Sequence, residues 1–181
     1  MDPICVSALE RFGNQEQRYL AVVQGLSNDA LNWRPGPETN SIAVLVAHAW
    51  GAAQAWTARA TGTEIERDRD AEFRVVLSGT ECEALIRRAM MRVTSFVEAI
   101  DPATYGDDRV DPEGDHFTVA HCLIHAVEHT QEHLGHAELT RQWSLFRRRS
   151  LPRRASERED GGAERTGVLS NVRVGERREN R

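Results

Sequence analysis

Residues 121–136 read HCLIHAVEHTQEHLGH and hold five of the seven histidines in this 181-residue chain. Around them, residues at steps of three and four share one face of an α-helix. The positions on that face are Val119, Cys122, Ala126, His129, His133, Ala137 and Thr140. The pattern predicts a helix whose apolar side meets the core, with His129 and His133 one turn apart on that side. His121 and His136 are expected at the surface.

Two imidazole rings on a core-facing surface need partners, because each ring carries a donor and an acceptor whose burial alone is costly. One divalent ion would satisfy both rings, since His129 and His133 can chelate it from a single helix at roughly 2.0–2.1 Å for zinc. Two other interpretations stay open: a solvated histidine-rich helix, or core histidines bonded to neighbouring groups. The metal interpretation therefore requires a third ligand from another part of the chain.

His48 is the residue expected to supply that third ligand. Residues 41–61 predict a second helix, capped by Asn40 or Ser41. Its apolar stripe consists of Ile42, Leu45, Ala49, Ala52 and Trp56. His48 borders this stripe. Taken alone it would be interpreted as a core histidine bonded to a neighbour, but beside an inward histidine pair it becomes the natural third ligand.

Apolar periodicity predicts four long helices, separated by Gly- and Pro-containing or charged segments. Their expected bounds are 4–26, 41–61, 80–100 and 118–146. A capping box is expected at residues 80–83 and a helix cap at Thr118. The charged residues 63–79 are interpreted as a solvated connection, and the acidic residues 101–117 as a loop that exposes His116. The result is an all-α four-helix bundle over residues 1–146, an architecture that places ligand sites on facing helices in its interior.

Composition argues against several classes of protein. A formal net charge of −5 gives no sign of nucleic-acid binding. No secretory signal and no run of about 18 apolar residues are visible, so no membrane association is expected. The three cysteines form no paired motif, which favours a reduced, cytoplasmic compartment. The Arg-rich residues 147–181 have too few apolar side chains for a core and are predicted to form a disordered tail, without the aromatic residues of a nucleic-acid-binding segment.

Three neutral imidazoles around one metal leave a fourth position open for water or substrate, which is typical of catalytic and not of structural zinc sites. Such a metal lowers the pKa of a bound water or thiol and so provides a nucleophile near neutral pH. The catalytic residues themselves are not identified by the sequence.

The sequence resembles the DinB/YfiT-like superfamily over about residues 5–146. The resemblance lies in His48 and in four short stretches: LNWRP at 31–35, NSI at 40–42, HTQEHLGH at 129–136 and TRQ at 140–142. It implies a left-handed four-helix bundle, commonly a homodimer, with a zinc or nickel site at His48, His129 and His133. It also implies a small-molecule substrate and an S-transferase or isomerase activity that uses a low-molecular-weight thiol such as bacillithiol or mycothiol.

Two side chains near the expected site have open roles. His125 lies one turn before His129 and is expected either to replace a ligand or to support one. Arg141 lies two turns after His133 and is expected either to hold a carboxylate of the thiol or substrate, or to form a surface ion pair.

Other functions compete with the thiol-dependent enzyme. One is a non-catalytic bundle that binds metal, or keeps its histidines without one, and acts through protein contacts. A remote one is a metalloprotease, because His129-x-x-Glu132-His133 matches the inverzincin motif. A di-iron centre is disfavoured because the Glu-x-x-His pattern occurs only at Glu113 and His116, in a loop. Cys122 as a nucleophile is disfavoured because it lies on the apolar stripe.

Overall fold

The computed structural model describes residues 1–150, with only the backbone described for 148–150. In chain order its α-helices are α1 (Pro3–Val23), α2 (Asn28–Asn32), α3 (Ile42–Ala60), α4 (Arg69–Glu72), α5 (Gly79–Glu98) and α6 (Val119–Ser150). A 3-10 turn at Pro102–Thr104 is followed by strands β1 (Asp108–Val110) and β2 (His116–Thr118). From residue 151 onward the tail predicted at 147–181 lies outside the described residues.

The four long helices α1, α3, α5 and α6 form a bundle in which each packs against two others. Going round the bundle, the order is α1, α5, α3, α6. The predicted all-α four-helix bundle is therefore confirmed, and each helix boundary lies within four residues of its expected position. None of the helices in residues 1–150 has the length and hydropathy that a bilayer crossing requires.

Helix α3 is buried on nearly every side because α5 and α6 cover it from two directions. Besides the predicted stripe, Val44, Val46 and Trp50 on its other faces are fully or almost fully buried. Tyr19 of α1 packs edge-on against Trp50, with ring centroids 5.8 Å apart, and its hydroxyl donates to the Thr130 carbonyl of α6 at 3.1 Å. Any polar side chain on the inner part of α3, including His48, is therefore held in the interior of the bundle.

The connections differ from the sequence expectation. Residues 101–117 are not only a loop, because β1 and β2 pair as an antiparallel hairpin with Arg109 opposite Phe117. Residues 63–79 contain the short helix α4. The capping box is formed by Ser78 and Glu81 and not within residues 80–83. Strands and helices of three to five residues are too short to show a hydrophobic period, which is why the sequence did not predict them.

The buried stripe of α6 agrees with the predicted one at five of seven positions, Val119, Cys122, Ala126, Ala137 and Thr140, and differs at the two histidines. Thr130 and Leu134 are fully buried, whereas His129 and His133 are half-buried. The reason is that Leu123, Ala126, Thr130 and Leu134 lie one turn apart and together form the face against the core. His129 and His133 were expected on this core-facing side, and they lie at its edge, where their rings meet that of His48 on α3. Half-burial leaves the two rings partly accessible from outside.

Thr118 caps α6, as expected, by accepting a hydrogen bond from the His121 amide at 3.1 Å. His116 is exposed, also as expected, and its Nδ1 lies 2.6 Å from Asp108 Oδ2 across the hairpin. The hairpin thus leads directly into the histidine-rich helix and lies near its first turns.

Candidate metal centre

The bundle brings His48, His129 and His133 together. One nitrogen from each ring lies within 4.8 Å of the other two, and no further histidine, cysteine or carboxylate in the described residues joins this group. The ring of His48 lies 5.0 Å from that of His129 and 4.9 Å from that of His133, measured between centroids. A one-turn pair on α6 and a single residue on α3 thus form a three-nitrogen cluster.

A carboxylate orients His48. Its Nδ1 lies 3.0 Å from Oε2 of Glu72, and His48 is only 6% exposed. Because the ionised carboxylate of Glu72 can only accept, Nδ1 carries the proton and Nε2 is the nitrogen left available to a ligand. Arg67 holds Glu72 in turn, with Nε and Nη2 donating to its two carboxylate oxygens at 2.7 and 2.8 Å. The chain Arg67–Glu72–His48 therefore fixes both the tautomer and the ring orientation of one member of the cluster.

Gly51 makes room for this carboxylate. A Cβ atom at Gly51, one turn after His48 on α3, would lie 2.1 Å from Oε1 of Glu72. The glycine weakens the helix by about 1 kcal/mol relative to alanine. It is explained by the approach of Glu72 to the helix backbone, which a larger residue would prevent.

The donor set fits a divalent metal. Nδ1 of His129 is buried and has no hydrogen-bond partner among the described residues. An unsatisfied buried ring nitrogen is unfavourable, and a metal ion among the three rings would relieve it. Imidazole nitrogens are also typical ligands of zinc and nickel. A carboxylate that holds one of these imidazoles, as Glu72 holds His48, is typical of the groups that surround such ligands. His48, His129 and His133 are thus the residues that would hold the ion.

The electrostatics favour the protonation states that metal binding needs. Burial, together with the neighbouring His133 and His48 rings, lowers the pKa of His129 from 6.5 to about 3. Burial also lowers the pKa of His133 to about 4, with His48 acting in the same direction. For Glu72, burial raises the pKa, but the hydrogen bonds with His48 and Arg67 bring it below its usual value. Neutral imidazoles beside an ionised carboxylate are the forms that ligate metal.

The metal-free protein should therefore become less stable as pH falls from about 6.5 toward 4. The unfolded chain takes up protons on His129 and His133 near 6.5, whereas the folded chain takes them up only near 3 and 4. The stabilisation is complete above 6.5 and is lost on acidification. Melting temperature against pH in a chelator measures this effect, and His129→Leu should flatten the profile. Equal slopes for the parent protein and this variant would show that His129 does not titrate in this way.

His125 lies beside the cluster and not in it. Its ring packs 4.3 Å from the ring of Trp56, and 5.6 Å from that of His129, between centroids. Burial lowers its pKa, and the neighbouring His121 acts in the same direction. His125 thus contacts a candidate ligand without joining the nitrogens that converge, which agrees with a supporting position and leaves three candidate ligands.

Arg141 contacts the C-terminal end of α1 and not the histidine cluster. Its Nη1 donates to the carbonyls of Ala21, Val22 and Gln24 at the end of α1, at 2.8 Å from Ala21 and 3.0 Å from Gln24. A cation that satisfies terminal carbonyls is a helix C-cap. These contacts give Arg141 a structural role that the sequence did not predict, in addition to the carboxylate clamp and the surface ion pair expected there.

Arg141→Gln should lower the free energy of unfolding by about 1–2 kcal/mol, because these charge-assisted hydrogen bonds are lost. Metal affinity should stay unchanged. Chemical denaturation and metal titration of the same preparation measure both quantities. If the variant kept its stability but bound metal or substrate more weakly, Arg141 would instead belong to the binding site.

The sequence interpretation missed Glu72 and Arg67, which it assigned to a solvated connection. Phe73, in the same segment, lies with its ring 4.7 Å from that of His48. The segment therefore covers the histidine cluster. The signal available in the sequence was Gly51, a glycine in the middle of a helix and one turn from a candidate ligand.

Comparison with known proteins gives the same fold. The family model of the DinB superfamily matches residues 11–137. A conserved protein of Enterococcus faecalis superposes with a TM-score of 0.68 at 13% identity, over 81% of this chain and 99% of its own. A DinB-like protein from Bacillus cereus has a TM-score of 0.62 at 13% identity, over 76% of this chain and 91% of its own. Another from Bacillus subtilis has 0.60 at 14% identity, over 76% and 90%. No curated protein matches the sequence.

Proposed function

Because this chain belongs to the DinB superfamily, we propose that it is a metal-dependent enzyme that uses a low-molecular-weight thiol, such as bacillithiol or mycothiol, in an S-transfer or isomerisation reaction. The observation that carries the proposal is the convergence of His48, His129 and His133, with nitrogens within 4.8 Å of one another. Membership of the superfamily supports the fold, and the cluster supports the metal.

A divalent ion held by three neutral imidazoles keeps its charge and an open position, where it would lower the pKa of a thiol or water. The protein's own contribution is to position the ligands. Glu72 holds His48 in one tautomer, and Phe73 covers the His48 ring. Half-burial of His129 and His133 leaves the site open to a small molecule from outside. These features support an accessible reaction site more than a closed structural one.

The metalloprotease alternative has less support. An inverzincin site needs a carboxylate ligand from outside its motif, but the group of possible ligands in residues 1–147 consists of three histidines. Glu132, the acidic residue of the motif, is exposed. The non-catalytic metal-binding bundle remains the second candidate, because the described residues near the cluster include no assigned general acid or base.

We also propose a homodimer in the reduced cytoplasm. All three cysteines are free and buried, which suits a reducing compartment. Leu139, Trp143 and Phe146 recur at helical spacing on α6 and are 56–72% exposed, a surface that a second copy would cover. Light scattering of the purified protein tests the dimer.

The test of the activity uses untagged protein loaded with zinc or nickel, a panel of bacterial thiols and a chromogenic electrophile. We expect turnover that requires a thiol and exceeds that of His129→Ala by at least about 10-fold. Stoichiometric metal without turnover for any thiol would support the non-catalytic bundle instead. If the His129→Ala protein kept the turnover of the parent protein, the histidine cluster would not take part in the reaction.

A further inference from the structure

A cleft of about 660 Å³ lies beside the histidine cluster. Its walls are the C-terminal half of α3, the segment that follows α3, and the β1–β2 hairpin. Four of its lining residues are arginines: Arg59, Arg67, Arg69 and Arg109. Arg67 connects the cleft to the metal centre, because its Nη2 lies 3.4 Å from Nδ1 of His48. A molecule in the cleft would thus lie next to the proposed reaction site.

Two of these arginines, Arg59 and Arg109, are half-buried. Within the described part of the chain, neither Arg59 nor Arg109 forms a salt bridge. The guanidinium of Arg59 lies 4.4 Å from the centre of the Trp56 ring. Arg109 donates from Nη1 to the Asp108 carbonyl at 2.8 Å, while its Nε is buried with no hydrogen-bond partner among the described residues. Half-buried cationic donors of this kind favour an anionic ligand.

The fold holds both side chains in place. Arg109 and Phe117 are paired across the hairpin and are the half-buried residues of β1 and β2, so both face the bundle. Phe117 packs edge-on against Trp56, at 5.0 Å between centroids, and the guanidinium of Arg59 lies over the Trp56 ring. An aromatic pair therefore positions one arginine from α3 and one from β1.

The carboxylates of the cleft limit what can bind there. Asp108 faces His116, and Asp111 accepts hydrogen bonds from the amides of Glu113 and Asp115, so both are engaged within the hairpin. Burial raises the pKa of Asp111, but these hydrogen bonds and the charge of Arg59 bring it below its usual value. Glu64 and Glu113 are exposed at the rim. Equal numbers of arginines and carboxylates line the cleft, which disfavours polyanions such as nucleic acid and favours one oxyanion of a small molecule.

We propose that Arg59 and Arg109 bind the oxyanion, a carboxylate or a phosphate, of the small molecule that reacts at the histidine cluster. That the bound molecule reacts at the histidine cluster rests on the proposed function. That Arg59 and Arg109 bind an oxyanion rests only on the structure of the cleft. Arg67 stays engaged with Glu72 and marks the boundary between the two sites.

The experiment titrates the full chain with succinate and, separately, with inorganic phosphate, at constant ionic strength. The readout is the NMR shift of the arginine Nε–Hε groups, among which Arg109 reports directly. The titrations use the metal-free His129→Ala protein, so that neither probe can be bound by a metal. We expect saturable binding of at least one probe, and Arg59→Gln and Arg109→Gln should each weaken it about 10-fold or more. The preferred probe distinguishes a carboxylate from a phosphate ligand.

The matched control is Arg88→Gln, because Arg88 is an exposed arginine on α5 outside the cleft. This substitution should leave the affinity for the probe unchanged. Arg109→Lys keeps the charge but loses the planar fork, and should give an intermediate affinity if Arg109→Gln does not fold. No saturable shift with either probe, or equal affinity in all variants, would overturn the proposal. Since metal and turnover are not measured here, this outcome is separate from a failure of the proposed function.

Discussion

Replacing His129 with alanine is expected to weaken zinc or nickel binding by more than about 100-fold, beyond the usual loss for a residue that only supports a ligand. The His129 ring lies 5.0 Å from that of His48 and 4.4 Å from that of His133, between centroids, and its Nδ1 has no partner among the described residues. Its removal leaves two imidazoles, one from each of two helices, which hold an ion poorly. Isothermal titration of the metal-free protein with each metal measures the change.

His121→Ala is the control for this substitution. His121 lies two turns earlier on the same helix, is exposed, and packs against Phe117 and His125 instead of the cluster. It should bind metal like the parent protein. Equal losses in the two variants would mean that the histidine-rich helix binds metal at its surface, without a defined three-ligand centre.

Glu72→Gln is expected to reduce metal affinity by about 10–100-fold, although residue 72 does not belong to the three-nitrogen cluster. Glutamine keeps the shape of the side chain but loses the charge that attracts Nδ1–H of His48 and pairs with Arg67. The His48 ring then has two tautomers available, and only one of them presents Nε2 to the metal. Competition with a chromophoric chelator measures the affinity.

Glu64→Gln provides the matched control, because Glu64 is an exposed acid in the same connection and makes no contact with His48 in the described part of the chain. Its affinity should not change. If Glu72→Gln also bound metal normally, Glu72 would be a structural partner of Arg67 with no influence on the site.

The parts of the centre that follow from local spacing could be predicted from the sequence. His129 and His133 are one turn apart on any α-helix, and His48 lies on the inner part of a second helix. What spacing did not decide was the rotation of α6. A face through Leu123, Thr130 and Leu134 competes with the stripe through His129 and His133, and only the packing against α1 and α3 shows which set is buried.

The parts that depend on distant contacts could not be predicted. Glu72 reaches His48 from 24 residues away, through a charged segment that resembles an ordinary solvated connection. Arg141 meets carbonyls of α1 that are 117–120 residues away, because the ends of α1 and α6 are neighbours in the bundle. The spacing of apolar residues along the sequence indicates helices and strands but not contacts between residues this far apart. The hairpin that carries Arg109 is equally hidden, since each of its strands has three residues.

The metal content of untagged full-length protein, measured by inductively coupled plasma mass spectrometry after loading and removal of free ions, tests the three-histidine centre. The structure predicts one equivalent of zinc or nickel per chain in the parent protein and in His121→Ala, and almost none in His129→Ala. A parent protein that retains no stoichiometric metal, or a His129→Ala protein that retains a full equivalent, would contradict it.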